Sequence, residues 1–166
     1  DEVKQFLDLT KRVTPTKGQV FKDSKMVIDE QYRDVDVYYI ESEEEALYEV
    51  LQKVAQTANS YFNYEINGIE KAQVMKYTAP SNGYSWHIDI GADGIAANRK
   101  IAVSILLNED YEGGEMAFRT AEQIEKVKPK TGEVVAFSSF ISHSVRPVTK
   151  GKRYVVVAWF TGPHFR

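Results

Sequence analysis

The sequence predicts a mostly β protein of the α+β class, with its helices in the N-terminal part. From residue 65 onward, short stretches of β-branched and aromatic residues alternate with turn signals. Before residue 65, two segments carry apolar residues at the three- and four-residue intervals of an amphipathic helix. A chain of 166 residues suits one domain, which we expect to span residues 1–166.

Two helices are predicted in the first 64 residues. The first covers residues 2–12, where Val3, Phe6 and Leu9 have helical spacing. The second begins at Ser42, because Ser42 to Glu45 fit a capping box and an acidic first turn suits the positive end of the helix dipole. Its apolar stripe contains Leu47, Val50, Leu51, Val54, Ala58, Tyr61 and Phe62.

Strands fill most of the remaining chain. Residues 13–18 are typical of a loop, and alternating polarity predicts one or two short strands within residues 20–40. Further strands are predicted at residues 72–78, 84–90, 100–107, 114–118, 133–137, 142–148 and 154–160. Many short strands without long helices between them indicate a sandwich or a barrel. We expect residues 1–64 to support this core, and residues 65–166 to form it and to carry the functional site.

The bulk composition narrows the function classes. The sequence contains no cysteine, which excludes disulfides and thiolate metal sites. A formal net charge of −3 disfavours a nucleic-acid partner, whose binding usually needs a basic patch. No apolar run reaches the roughly 20 residues of a membrane span. We therefore expect a cytoplasmic protein without a membrane partner, and the oligomeric state is not predicted.

A pattern of histidine, aspartate and arginine marks the candidate functional site. His87 and Asp89 stand two apart in a predicted strand, so their side chains point to the same face. With His143 they make up the ligand set of the 2-His-1-carboxylate triad, which holds Fe(II) and leaves positions open. Arg153 follows ten residues after His143, and its guanidinium is suited to bidentate carboxylate binding. His164 has no partner in this pattern and is predicted to lie on the surface.

These residues, in this order, resemble the Fe(II)/2-oxoglutarate-dependent oxygenases of the prolyl-4-hydroxylase-like branch. The similarity covers about residues 71 to 166. The resemblance implies a double-stranded β-helix, a jelly-roll of the cupin-like kind, with the N-terminal helices bracing one sheet. Besides the triad and Arg153, it rests on Gln73 to Tyr77, Gly83-Tyr84, Leu107-Asn108, Gly113 to Glu115, Gly132, Phe137, Pro147, Gly151 and Trp159.

The resemblance also implies cofactors and residue roles. Fe(II) would be held by His87, Asp89 and His143, which are then both the metal ligands and the catalytic residues. The cosubstrate 2-oxoglutarate would pair its distal carboxylate with Arg153, and dioxygen would take a remaining position. Two further residues would line the cosubstrate pocket, and two others are candidates for contact with the substrate. They are Tyr77 and Trp159 for the pocket, where core packing is the alternative, and Tyr84 and Arg99 for the substrate.

Two features depart from the family pattern or stay open. Leu106 occupies the position at which some prolyl hydroxylases of this branch carry a tyrosine that assists the basic residue. The carboxylate pocket must then find its second donor elsewhere or do without one. Residues 91–98 are rich in glycine and alanine, which permits a mobile lid over the site, with a plain solvent loop as the alternative.

The function expected from the resemblance is hydroxylation of a substrate C–H bond with release of succinate and carbon dioxide. A prolyl residue in a peptide or protein is the leading substrate. A free amino acid or another small molecule stays open, as does a cupin-like metal-binding module without turnover. A nucleic-acid substrate is disfavoured by charge and by Trp159, since AlkB-type demethylases usually carry a second arginine at that position.

Overall fold

The computed structural model describes residues 1–165. Its helices are α1 (Glu2–Arg12) and α2 (Glu45–Phe62), with one 3-10 turn at Ile95–Asn98. The strands are β1 (Thr16–Lys17), β2 (Val20–Lys22), β3 (Lys25–Val27), β4 (Arg33–Asp34), β5 (Asp36–Tyr39), β6 (Gly68–Ile69), β7 (Gln73–Thr78), β8 (Gly83–His87), β9 (Arg99–Leu106), β10 (Tyr111–Gly113), β11 (Met116–Thr120), β12 (Gln123–Val127), β13 (Val134–Ser138), β14 (Ser142–Val145) and β15 (Val148–Thr161).

Two antiparallel sheets form the body of the protein. The major sheet has the order β1-β5-β7-β15-β9-β13, with β6 and β10 also paired to β15. The minor sheet has the order β12-β11-β14-β8-β4, and β2 and β3 form a separate hairpin. Side chains from both sheets, such as Met75, Val155 and Phe118, pack together in one buried cluster. The predicted mostly β, double-stranded β-helix fold is therefore confirmed.

The two helices cover the outer face of the major sheet. Phe6 of α1 and Leu51 of α2 are fully buried in a second cluster, together with Val74, Val156 and Ala158 of the sheet. Successive residues of a strand point to opposite faces, so β15 contributes to both clusters in alternation. The major sheet is thus buried on both sides. The helices brace it as predicted, and its inner face is left to line the space between the sheets.

The first helix begins and ends as predicted, whereas the second begins later. The capping box at Ser42 is wrong, because α2 starts at Glu45 with Glu44 as its N-cap and without a side-chain cap bond. Residues before it form a turn in which the Glu44 N–H donates to the Glu41 carbonyl at 3.1 Å. The Ser42 hydroxyl donates to Glu43, and the Glu44 carboxylate binds Arg12 of α1. An ion pair with α1 therefore lies at the start of α2.

Several strand boundaries differ from the predictions because pairing partners decide them. The strand predicted at residues 84–90 ends at His87, and the one predicted at 142–148 ends at Val145. The long strand β15 begins six residues earlier than the strand predicted at 154–160, since its first part pairs with β10. The strand β12 was also missed. It lies at the sheet edge, paired to β11, and its mostly exposed side chains leave little apolar pattern.

Strands from the first 64 residues take part in both sheets. Residues Asp36 to Tyr39 of β5 pair with β7, while Arg33 and Asp34 of β4 pair with β8. Within residues 1–165, neither helix is long and apolar enough to cross a membrane.

Candidate active site

Sheet pairing places the two motif histidines side by side. Strand β14 pairs with β8 so that His143 lies opposite His87, and their ring centroids are 4.2 Å apart. Both face the space between the sheets, where the ring centroids of His143 and of Phe137 from the major sheet are 4.5 Å apart. Two imidazoles distant in the sequence are thus held on one rigid surface.

Hydrogen bonds on the far side of each ring select the tautomer. The Nδ1 atom of His87 lies 2.7 Å from the Ser85 carbonyl, and that of His143 lies 2.9 Å from the Ile141 carbonyl. A carbonyl oxygen accepts, so each Nδ1 carries the proton and each Nε2 presents a lone pair. This arrangement is the one in which a histidine ligand is oriented towards a metal.

The carboxylate of Asp89 completes the cluster. Its two oxygens lie 3.5 Å from His87 Nε2 and 3.6 Å from His143 Nε2. One donor atom from each of the three residues falls within 4.8 Å of the others. Neighbouring ligand atoms of an octahedral ion with bonds of about 2.1 Å are about 3 Å apart. The donor set therefore fits a small octahedral cation, with two nitrogens and a carboxylate as Fe(II) accepts them.

The protonation states also suit a cation. Burial by itself would raise the pKa of the Asp89 carboxyl, but the imidazoles of His87 and His143, when protonated, bring that pKa below the ordinary value. Burial lowers the pKa of His143, against the opposing charge of Asp89. An ionised carboxylate beside a neutral imidazole is the state that ligates a metal.

A cavity of about 320 Å³ between the sheets contains this cluster, and Arg153 lines it too. Arg153 is only 1% exposed, and its Nε and Nη1 atoms have no hydrogen-bond partner among residues 1–165. A Cβ at Gly114 would lie 2.8 Å from Arg153 Cδ, so the missing side chain makes room for the arginine. An unpaired buried guanidinium is costly unless an anion joins it. The buried guanidinium is thus suited to an anionic partner.

The family model of the 2OG-Fe(II) oxygenase superfamily matches residues 72–161, more than half of the chain. The chain belongs to this superfamily. The expected cofactors Fe(II), 2-oxoglutarate and dioxygen are those of the family, and the His-Asp-His cluster offers a donor set that suits a metal ion.

Curated relatives match over part of their length. A PKHD-type hydroxylase from Alteromonas mediterranea is 33% identical over 86 residues, which cover 48% of this chain and 38% of the relative. Human prolyl 3-hydroxylase 2 is 40% identical over 68 residues, 38% of this chain and 10% of that protein. The matched region thus spans less than half of the length of these curated relatives.

The fold has close structural neighbours at low sequence identity. A Trichoplax adhaerens prolyl hydroxylase, solved with a peptide fragment of the hypoxia inducible factor oxygen degradation domain, superimposes with a TM-score of 0.74. Its sequence is 22% identical, and the superposition covers 96% of this chain and 76% of the neighbour. At this identity, the likeness shows the shared oxygenase fold.

The other predicted oxygenase residues also line the cavity. Tyr77 is buried below the Arg153 guanidinium, whose Cζ lies 5.5 Å from the tyrosine ring centroid. Burial raises the pKa of Tyr77, so its hydroxyl stays protonated. Trp159 is buried in the same wall. Tyr84 stacks on His87 with ring centroids 3.6 Å apart, which makes it a support for a metal ligand as well as a cavity residue.

Arg99 and Leu106 are placed differently from each other. Arg99 borders the cavity, and its guanidinium binds Glu70 and the Asp89 carbonyl. Its contact with a substrate stays a prediction. Leu106 is buried in the cluster between the sheets and donates nothing to Arg153. Residues 91–98 contain the 3-10 turn, with a Gly91 N–H to Ala96 carbonyl bond, and their role as a lid stays a prediction.

Sequence reasoning missed some polar residues of the cavity. Gln73 and Ser104 lie on either side of Val157 in adjacent strands, and both line the cavity while nearly buried. The Gln73 Oε1 atom has no hydrogen-bond partner among residues 1–165. Their signal in the sequence was a polar residue at an inward strand position, which only the sheet register makes recognisable.

Proposed function

We propose that this chain is a single Fe(II)- and 2-oxoglutarate-dependent oxygenase domain that hydroxylates a prolyl residue in a peptide or protein. One observation carries the proposal: the His87, Asp89 and His143 cluster shares a cavity with Arg153, a buried cation without hydrogen-bond partners at Nε and Nη1 within residues 1–165. A metal-binding module without turnover needs no such cation, so the arrangement favours an enzyme.

Each residue has a defined task in this proposal. His87, Asp89 and His143 would hold Fe(II) through two imidazole nitrogens and one carboxylate oxygen. Arg153 binds the distal carboxylate of 2-oxoglutarate through two parallel N–H donors, with Tyr77 and Trp159 as pocket walls. The bound iron supplies the redox chemistry by which dioxygen converts 2-oxoglutarate to succinate and carbon dioxide and a substrate C–H to C–OH.

The protein environment strengthens these interactions. Arg153 lies in a nearly dry interior, where the attraction between a guanidinium and a carboxylate is several times that in water. Tyr84 and Phe137 pack against the histidine rings and exclude water from that side of the ligands. The Nδ1 bonds of both histidines hold the ligand rings in place before any ion binds.

The cavity mouth supports a peptide as the substrate. Met26, Tyr39 and Ile88 line the cavity and are 58%, 38% and 50% exposed, respectively. Large apolar side chains at an opening favour a ligand that extends over them, because covering them removes apolar surface from water. An extended prolyl peptide satisfies this condition, whereas a free amino acid would leave them uncovered. The prolyl hydroxylases among the relatives and structural neighbours agree with this substrate class.

The first test needs no substrate. Under anaerobic conditions, Fe(II) and 2-oxoglutarate added to the metal-free protein are expected to give the weak visible charge-transfer band of chelated 2-oxoglutarate. The band should be lost in His87→Ala and kept in His164→Ala, which changes an exposed histidine outside the cluster. A band that persists in His87→Ala would refute the ligand assignment.

The second test identifies the reaction. Proline-containing peptides should release succinate and gain one oxygen atom in mass, whereas matched peptides with alanine in place of proline should not. Fragmentation of the product would locate the new hydroxyl on the ring. Tight iron and 2-oxoglutarate binding with no succinate from any peptide or amino acid would instead favour the non-catalytic module.

A further inference from the structure

The main chain of Asp89 is held by an unusual set of contacts. Strand β8 ends at His87, so sheet pairing does not position the third ligand. Instead, the N–H groups of Asp89 and Ile90 both donate to the Ser139 carbonyl, at 2.9 and 3.1 Å. On the other side, Arg99 Nη1 donates to the Asp89 carbonyl at 3.0 Å. A ligand outside the strand is thus clamped between two neighbours.

Arg99 is itself fixed by two further contacts. Its Nε and Nη2 atoms donate to the two carboxylate oxygens of Glu70, at 2.6 and 2.5 Å. Its guanidinium also makes a cation–π contact with Trp159, with Cζ 4.0 Å from the ring centroid. Both members of the ion pair are mostly buried, with side chains 17% and 14% exposed. A bidentate pair that is mostly buried is held in one geometry, whereas an exposed surface pair is not.

Trp159 joins the same pair to the cavity wall. Its side chain is buried and lines the cavity together with Asp89. Its indole N–H has no hydrogen-bond partner within residues 1–165. Arg99 therefore contacts both the Asp89 carbonyl and a tryptophan that lines the same cavity.

We propose that Glu70 and Arg99 are positioning residues that hold Asp89 in the orientation required for metal binding. This inference rests on the proposed iron site. The pair acts through the main chain of Asp89, and neither residue is a ligand itself. Groups that orient metal ligands typically change metal affinity by about 10- to 100-fold when they are altered. The inference replaces substrate contact as the main role of Arg99.

The test measures metal binding in the absence of turnover. Metal-free protein is titrated anaerobically with Co(II), and the d–d absorption reports both affinity and coordination geometry. Glu70→Gln and Arg99→Lys should each weaken Co(II) binding by about tenfold or more and change the band shape. The double variant should lose little beyond either single one, because the two residues act as a unit. Glu70→Asp, which keeps the charge, should be intermediate.

Matched controls exist in a second bidentate arginine–glutamate pair. Arg12 and Glu44 join α1 to α2 away from the cavity, so Arg12→Lys and Glu44→Gln should leave Co(II) affinity within twofold of the parent. Circular dichroism at the titration temperature identifies variants that fail to fold. If Glu70→Gln or Arg99→Lys fails to fold, the Co(II) affinity of Glu70→Asp decides the question.

The outcomes separate this inference from the proposed function. If the parent protein binds Co(II) at the triad and the Glu70 and Arg99 variants bind equally well, the positioning role is refuted while the iron site stands. A raised KM for peptide with unchanged Co(II) affinity would show that Arg99 contacts the substrate instead. If the parent protein fails to bind Co(II), the proposed function and the positioning role both fall.

Discussion

At the scale of single residues, Arg153 shows how a ligand site can reduce the stability of the empty protein. Its side chain is buried, and two of its nitrogens lack partners within residues 1–165. Each buried donor without a partner costs about 1–3 kcal/mol, and the cost is greater for a charged group. A carboxylate in the cavity would supply the missing acceptors. At this position the group that would bind the cosubstrate therefore lowers the stability of the ligand-free protein.

Arg153→Met should separate the two effects. Without ligand, we expect the free energy of unfolding to rise by about 1–3 kcal/mol, because an apolar side chain needs no partner. The KM for 2-oxoglutarate should rise by about 100-fold or more through loss of the bidentate contact. Urea denaturation and cosubstrate titration measure these quantities. Arg146→Met, at an exposed arginine, is the control and should change neither. A loss of stability in Arg153→Met would contradict the argument.

At the scale of elements, the helices and the site lie on opposite faces of one sheet. Leu51 of α2 is fully buried against the outer face, while Arg153 and Val155 of β15 belong to the inner face. Strand β15 therefore packs against the helices with one set of side chains and lines the cavity with the alternate set. Such a division predicts that stability and ligand affinity can be changed separately.

Leu51→Ala tests this division. Removing a fully buried leucine side chain should cost about 2–5 kcal/mol in the free energy of unfolding. At a temperature where the variant is still folded, its affinities for Co(II) and 2-oxoglutarate should stay within about twofold. Lys53→Ala, at an exposed position of the same helix, should leave stability nearly unchanged. A parallel loss of stability and affinity in Leu51→Ala would show that the outer face controls the site.

A pH effect is expected at the edge of the major sheet, where Asp36 of β5 binds Lys76 and Lys17 at 3.0 and 3.2 Å. Burial by itself would raise the pKa of Asp36, but the hydrogen bonds from the two lysines bring it below the usual 3.8. A lowered pKa means that the ion pairs stabilise the fold fully above pH 3.8 and lose this contribution as the pH falls through the lower, folded-state pKa.

Asp36→Asn should therefore be less stable than the parent protein at neutral pH, by up to about 1 kcal/mol, as for other partly exposed ion pairs. The difference should shrink as the pH falls below 3.8. Urea denaturation over a pH series measures it. Asp93→Asn removes an exposed carboxylate that forms no ion pair in the described chain, and it should show a smaller difference at neutral pH. An equal difference at every pH would exclude the ionic explanation.

At the scale of the whole molecule, the proposed ligands join the two sheets. The histidines belong to the minor sheet, and Arg153 belongs to the major sheet. A metal with 2-oxoglutarate would span the cavity between them. Ligands that bind only the folded state stabilise it by mass action, with about 2.7 kcal/mol at 100 times Kd.

Metal and cosubstrate should accordingly stabilise the protein cooperatively. Under anaerobic conditions, Co(II) and 2-oxoglutarate together are expected to raise Tm by more than the sum of their separate effects, because the cosubstrate needs both the metal and Arg153. His143→Ala should abolish the metal-dependent increase, and His164→Ala should retain it. An equal increase from 2-oxoglutarate in the presence and absence of metal would argue against a shared site.

The sequence alone determined what depends on local spacing and on residue order. Periodicity of three to four residues located both helices, because an amphipathic helix must repeat its apolar face at that interval. Turn residues separated most strands for similarly local reasons. The order of His87, Asp89, His143 and Arg153 indicated the oxygenase family, which the family match confirmed. Each of these signals lies within a few residues or in a fixed order along the chain.

Only the tertiary structure decided features that depend on distant partners. Glu44, the N-cap of α2, pairs with Arg12 of α1, and Asp89, which follows β8, bonds to Ser139 and Arg99 through its main chain. Strands β10 and β12 form because a neighbouring strand satisfies their backbone groups, although their own side chains carry little apolar pattern. A hydrogen bond or ion pair between residues far apart in the chain leaves no periodic trace in the sequence, so its partners become known only when the fold brings them together.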